Sequence, residues 1–113
     1  MNINTIILGG NLTRDPELRY VPSGDPVCNM RLACNRKFTR DGKLEEEVLF
    51  IDVAAWGKQA ESCSEYLAKG SSVVVEGRLR IREWETKEGE KRLTPEVVAT
   101  RVHFGDKVQQ DSE

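Results

Sequence analysis

From Val48 to Gly57 the chain reads Val-Leu-Phe-Ile-Asp-Val-Ala-Ala-Trp-Gly, and the odd-numbered positions Leu49, Ile51, Val53 and Ala55 are all apolar. An extended strand would therefore turn one continuous apolar face inward. The opposite face carries Phe50 and Trp56, with only Asp52 and Ala54 between them. Flat aromatic surface left toward water needs a ligand or a partner to cover it. Two readings of the pair stand level on this strand alone: packing under a hairpin or another subunit, and a stacking platform for nucleobases. The flanking residues have to separate them.

Thr5 to Leu12 predicts a first strand, with Ile6 and Leu8 on one face and Ile7 on the other, and Gly9-Gly10 within it predicts a bulge or sharp bend. Asp15-Pro16 and Val21-Pro22-Ser23-Gly24 place turn chemistry at both ends of the connection that follows. Cys28, Met30, Leu32 and Cys34 then alternate with Asn29, Arg31, Ala33 and Asn35, a second strand with one apolar and one polar face. It leads into a hairpin over Arg36–Glu45 with Asp41-Gly42 at its tip, and on to the third strand at 48–57. There the period changes to 3.6. Ala60, Cys63, Tyr66 and Leu67 share one face of a short helix predicted from Lys58 to Lys69, with Tyr66 as a core ring and Gly70 as the C-terminal cap.

A fourth strand runs from Ser72 to about Trp84, setting Val73, Val75, Gly77, Leu79 and Ile81 against Val74, Glu76, Arg78, Arg80, Arg82 and Trp84. A second hairpin, Glu83–Leu93, returns the chain as a fifth strand from Leu93 to Phe104. Residues 105–113 are polar and are expected to form a short disordered tail. Residues 1–104 are thus expected to be one domain, all-β with one short helix. Five strands with a helix between the third and fourth follow the order of an OB-fold, a Greek-key barrel, here with two long hairpins.

Composition adds limits rather than direction. At 113 residues there is room for one core, and 38% hydrophobic with 32% charged residues is ordinary for a soluble domain. The apolar run Ile6-Ile7-Leu8 is far too short for a signal peptide or a membrane span. Cys28, Cys34 and Cys63 are odd in number and lack Cys-x-x-Cys spacing, which points to reduced thiols in a cytoplasmic protein, with no metal site. The formal net charge of -2 does not announce a polyanion partner. Between Arg14 and Lys43, however, seven basic residues face four acidic ones, while acid gathers in Glu45-Glu46-Glu47 and elsewhere. Catalysis has little to stand on. The single histidine, His103, has no serine or aspartate pattern around it, and no glycine-rich phosphate loop precedes a helix, so neither enzyme chemistry nor a cofactor is expected.

Several stretches resemble the bacterial single-stranded DNA-binding proteins. Gly10-Asn11-Leu12 through Asp15-Pro16-Glu17, Arg19-Tyr20 and Pro22-Ser23-Gly24 is similar to that family's signature. So are Trp56-Gly57-Lys58-Gln59-Ala60-Glu61, Glu65-Tyr66-Leu67 with Lys69-Gly70-Ser71, Val75-Glu76-Gly77-Arg78-Leu79-Arg80 running to Trp84, and Glu96-Val97-Val98-Ala99. These segments span nearly the whole chain in order. The resemblance implies an OB-fold that binds single-stranded DNA without sequence preference, usually as a homotetramer, in a nucleoid-associated, cytoplasmic setting. It implies binding roles for the rings Phe38, Phe50, Trp56 and Trp84, two of which (Phe38 and Phe50) stand where well-known members have tryptophan. Basic residues that match or share their face are Arg36, Lys37, Lys58, Lys69, Arg78, Arg80 and Arg82. Some members carry a basic residue where Asp52 stands, a histidine where Ile51 stands, and a lysine where Glu83 stands. Members usually continue through a Gly/Pro/Gln-rich linker to an acidic tip that recruits replication and repair enzymes; this sequence ends at Asp111-Ser112-Glu113 without either.

The chemistry supports that reading from the residues as well. A non-specific single-strand binder needs cations along a groove and rings for bases, and each stacked base is worth roughly 1–3 kcal/mol. Arg78, Arg80 and Arg82 alternate onto one face of a strand, which by itself describes a solvated, ion-paired surface. Trp84 at the end of that face, with Phe50 and Trp56 on another strand, shifts the balance toward a binding surface. Apolar surface for the oligomer contact is expected on the Val73–Val75 strand and the Ile3–Ile7 region. One alternative is an OB-fold adaptor subunit of a replication-restart complex that uses the aromatic face for protein. The other is a fragment of an OB-fold enzyme, of anticodon-binding or ligase type, against which the start at Met1 speaks.

Overall fold

A computed structural model describes residues 1–105. The elements are β1 (Ile6–Leu12), β2 (Glu17–Tyr20), β3 (Pro26–Arg40), β4 (Lys43–Trp56), α1 (Lys58–Tyr66), β5 (Ser72–Glu85) and β6 (Lys91–Phe104). The sheet order is β1-β5-β6-β4-β3-β2, and β1 also pairs with β3. That last pairing closes five strands into the expected OB-type barrel, with α1 between the third and fourth of them. β2 is an addition. Four alternating residues between two proline-bearing turns were too short to stand out as a strand, yet Glu17↔Asn29 through Tyr20↔Pro26 pair it to the edge of β3.

Closure depends on two places where backbones touch. At the end of β1, Asn11 pairs with both Ser72 of β5 and Ala33 of β3, and Leu12 pairs with Leu32 of β3. A Cβ placed on Gly10 would overlap the carbonyl of Ala33, and one on Gly77 would overlap that of Val98. The β1–β5 register runs unbroken through Gly9 and Gly10, so the expected bulge is not there; it lies in the β5–β6 ladder at Glu76/Gly77, where Thr100 is the extra residue. The Thr100 hydroxyl donates to the Glu76 carbonyl across that bulge, at 3.1 Å.

The core gathers the inward alternates. Met30, Leu32, Val53, Val75 and Val97 are fully buried, and Ala60, Cys63 and Leu67 close one end of the barrel. Burial in apolar surroundings pushes the thiols of Cys28 up to about 11 and Cys63 up to about 12, so both are uncharged packing groups. The helix stops at Tyr66, three residues earlier than expected, because Leu67 turns to extended backbone (φ -109, ψ 155) and drops its side chain into the core. Gly70 therefore caps a following turn rather than the helix, its N–H bonded to the Leu12 carbonyl. Tyr66 is not a core ring either. It is 56% exposed and tilts against Phe104, with ring centroids 6.5 Å apart.

Both long hairpins are paired strand almost to their tips. β3 and β4 stay in register out to Arg40↔Lys43, with Asp41 and Gly42 both at positive φ (53 and 78), the pairing a two-residue turn requires. β5 and β6 stay paired from the bulge out to Glu85↔Lys91. Beyond the barrel these arms have no second layer, which is why Leu49, on the inward side of β4, is 47% exposed. The same holds for Ile81 on β5, at 56%. Of the tail expected over 105–113, Gly105 belongs to the domain, donating its N–H to the Ser72 carbonyl at 2.7 Å, and the rest lies outside the described residues.

Candidate nucleic-acid interface

Strand pairing carries one face across four strands of the sheet. On β3 and β4 the partners Val27↔Trp56, Asn29↔Ala54, Arg31↔Asp52 and Ala33↔Phe50 share a side. The short parallel contact Asp52↔Glu96 extends it to β6, and Arg80↔Glu96, Arg82↔Thr94 and Trp84↔Arg92 extend it to β5. At its centre is an open cleft of about 270 Å³, lined by Arg14, Glu17, Arg19, Asn29, Asp52, Ala54, Trp56, Arg80, Arg82 and Glu96, with Val27 and Met30 beneath. The cleft wall holds four arginines against three carboxylates.

Three rings lie along this side. Trp56 borders the cleft; Phe50 and Trp84 stand further out, one on each arm. All three are open to solvent, at 39%, 52% and 42%. Trp84 is held by its indole N–H, which donates to the Thr94 hydroxyl at 2.9 Å. The Arg31 guanidinium lies 5.6 Å from the centre of the Phe50 ring. Arg31 pairs in turn with Asp52 at 2.9 Å, while Arg80 puts both Nε and Nη2 on the same Glu96 oxygen, each at 2.9 Å. Glu96 is only 3% exposed.

The residues expected to bind do not all meet here. Phe50, Trp56, Trp84, Arg80 and Arg82 do, and Lys37 is on the same side of its arm by alternation. Phe38 is on the other side, paired with Glu45, and its ring is half-buried between the guanidinium groups of Arg36 (4.7 Å) and Arg40 (5.2 Å). Arg36 is further tied to Glu47 at 2.7 Å. Arg78, paired with Val98, shares the side of Arg80 by alternation but lines a separate hollow at the bulge, with Asn4, Glu76 and Arg101. Lys58 begins α1 and Lys69 follows it; neither is among the residues that line the cleft, and the Lys69 N–H is bonded to the Asp15 carboxylate.

Arg14, Arg19, Asn29, Arg31 and Glu96 join the site without having been marked as binding residues in the sequence. Asn29 and Arg31 were visible as a polar strand face; that the face is continuous with Trp56 follows from Asp41-Gly42 being a two-residue turn. Glu96 gave no such signal, because only the parallel β4–β6 contact, between segments remote in sequence, brings it beside Asp52.

An OB-type barrel whose one face combines spaced rings with a cationic cleft is built to lie along an extended polymer. The model of the single-strand binding protein family matches residues 3–105, and the chain belongs to that family. Single-stranded DNA-binding protein 2 of Clostridium acetobutylicum is 45% identical over 103 residues, covering 90% of this chain and 76% of that one. Single-stranded DNA-binding protein 2 of Chlorobaculum tepidum is 43% identical over 114 residues, 98% of this chain and 76% of its own. Among solved structures, the Plasmodium falciparum SSB complex with ssDNA superposes with a TM-score of 0.86, covering 94% of this chain and 97% of that one, at 24% identity. That last likeness is one of fold.

Proposed function

We propose that this chain binds and protects single-stranded DNA without sequence preference, as a binding protein of replication, recombination and repair and not as an enzyme. The observation that carries the reading is the exposure of Phe50, Trp56 and Trp84 along the one sheet face that also holds Arg82, with Arg14 and Arg19 in the same cleft. Rings stack on bases of any identity, and arginines meet the phosphates that every nucleotide carries. The names of its relatives, single-stranded DNA-binding proteins from several bacteria, support it. Among the described residues no helix is long and apolar enough to cross a membrane, in keeping with a cytoplasmic site of action.

The test is a fluorescence titration with poly(dT) at two salt concentrations, together with competition by duplex. Tryptophan emission should quench as bases stack. Single strands should win over duplex by on the order of a hundredfold, because duplex bases are stacked on one another and cannot reach the rings. Equal competition by duplex would end this reading.

A further inference from the structure

We propose that Asp52 and Glu96 are positioning residues: by holding Arg31 and Arg80 in ion pairs, they keep phosphates off the middle of the face and leave that place to the bases. The proposal rests on the single-stranded DNA reading above.

The pairing lays four charged residues from four neighbouring strands in one row, Arg31 on β3, Asp52 on β4, Glu96 on β6 and Arg80 on β5. The two carboxylates are the inner pair, on adjacent strands that run roughly 4.8 Å apart. Each is matched to one outer arginine at 2.9 Å, so the row as a whole is neutral. Arg80 spends its Nε and one terminal nitrogen on a carboxylate oxygen that is itself almost wholly buried. Its charge is therefore already compensated in the free protein.

The other arginines of the cleft differ. Among the described residues no carboxylate pairs with Arg14 or Arg82, and Arg19 donates to the neutral side-chain oxygen of Asn29 at 3.2 Å. Glu17 lines the cleft with them, but among the described residues no ion pair offsets these three. A phosphate arriving over the row meets guanidinium groups whose charge the more buried carboxylates already offset, whereas a base brings a neutral ring that loses nothing by that neutrality. Backbone and bases are thereby sorted, phosphates to the uncompensated arginines and bases to the row and to Trp56 beside it.

The counterion-release slope of poly(dT) binding reports how many phosphates are neutralised, and a merely structural role for the acids would not raise it. Slopes are measured between 50 and 200 mM salt for the whole chain, for Glu96→Gln and for Asp52→Asn. Each amide frees one arginine, so each slope should steepen by about 0.7, which is roughly two- to threefold more tightening across that range than the unaltered protein shows. A slope that stays the same or becomes shallower overturns the proposal. Should Glu96→Gln fail to fold, as a change at a buried site can, Asp52→Asn at a site one quarter exposed decides the matter by the same criterion. Failure of the unaltered protein to bind poly(dT) would instead remove the single-strand reading itself.

Discussion

Trp56 and Trp84 are alike in chemistry and differently held. The indole of Trp84 is fixed through Thr94, while Trp56 sits at the lip of the cleft one residue before the helix turn at Gly57. Replacing either with alanine should weaken poly(dT) binding by roughly 1–3 kcal/mol and leave the salt slope in place, since a stacked base is lost and no phosphate contact is. If both variants fold and bind as the parent does, the rings serve an interface instead. The arginines divide differently. Arg82→Ala should flatten the slope by about 0.7 in the same titration, the value for one phosphate. Arg80→Ala should show chiefly as lost stability, because it strands the buried Glu96 carboxylate. With Arg80 itself 42% exposed, about 1–3 kcal/mol in a urea melt is a fair expectation, below the 3–5 of a fully buried pair. From the sequence the two arginines look interchangeable. What separates them is a partner on a strand that no local pattern ties to theirs.

At the scale of elements, alternation told most of the story and its exceptions are instructive. Strand faces, the helix position and the Asp-Gly turn were all legible, since they depend on neighbours two to four residues apart. The helix end was not. Gly70 looked like a cap, but burying Leu67 favours extended backbone already at that residue. Phe38 is a subtler case. The resemblance implied a binding role for it beside Phe50 and Trp56, while the two-residue turn, equally plain in the sequence, puts it on the opposite side of the arm from them. Paired glycines such as Gly9-Gly10 invite a bulge or a sharp bend, and the β1–β5 ladder has no bulge there. In fact Gly10 is there to let β1 lie on the backbone of β3, and Gly77 does the same for β5 against β6. Alanine at Gly10 or Gly77 should destabilise the barrel by about 1–3 kcal/mol, as overpacking does, read from the urea midpoint at unchanged slope. Alanine at the open turn glycine Gly89, where no atom lies within 4 Å of an added Cβ, meets only a strained φ of +88 and should cost less.

The whole molecule has another face to account for. Val73 and Val75, expected to offer apolar surface for assembly, are buried at 2% and 1%, so that expectation narrows to Val74 (42%), Ile7 (60%) and Ile3 (76%). Val74 and Ile7 share the outer side of the β1–β5 pair, away from the core. We expect a homo-oligomer, most simply a tetramer: one barrel offers a path of about 4–16 nucleotides, and several barrels let a strand continue from one to the next. Light scattering at micromolar concentration checks this directly, since a stable 12.8 kDa species would exclude it.

The way β1 is tied in has a consequence for time as well as for shape. β3–β4 and β5–β6 are hairpins whose partners are close in sequence, and units of that kind form in about 1–10 μs. β1, though first in the chain, is matched from Ile6↔Gly77 to Asn11↔Ser72, and the barrel is not shut until that distant ladder and the Asn11↔Ala33 contact are both made. Chain entropy must be surrendered before those contacts repay it, which places refolding in the millisecond-to-second range typical of β-barrels of high contact order. A newly made chain would thus hold its DNA-facing arms well before it holds a closed barrel, and stopped-flow refolding of a Gly10→Ala variant would show whether the last seam to close is also the slowest.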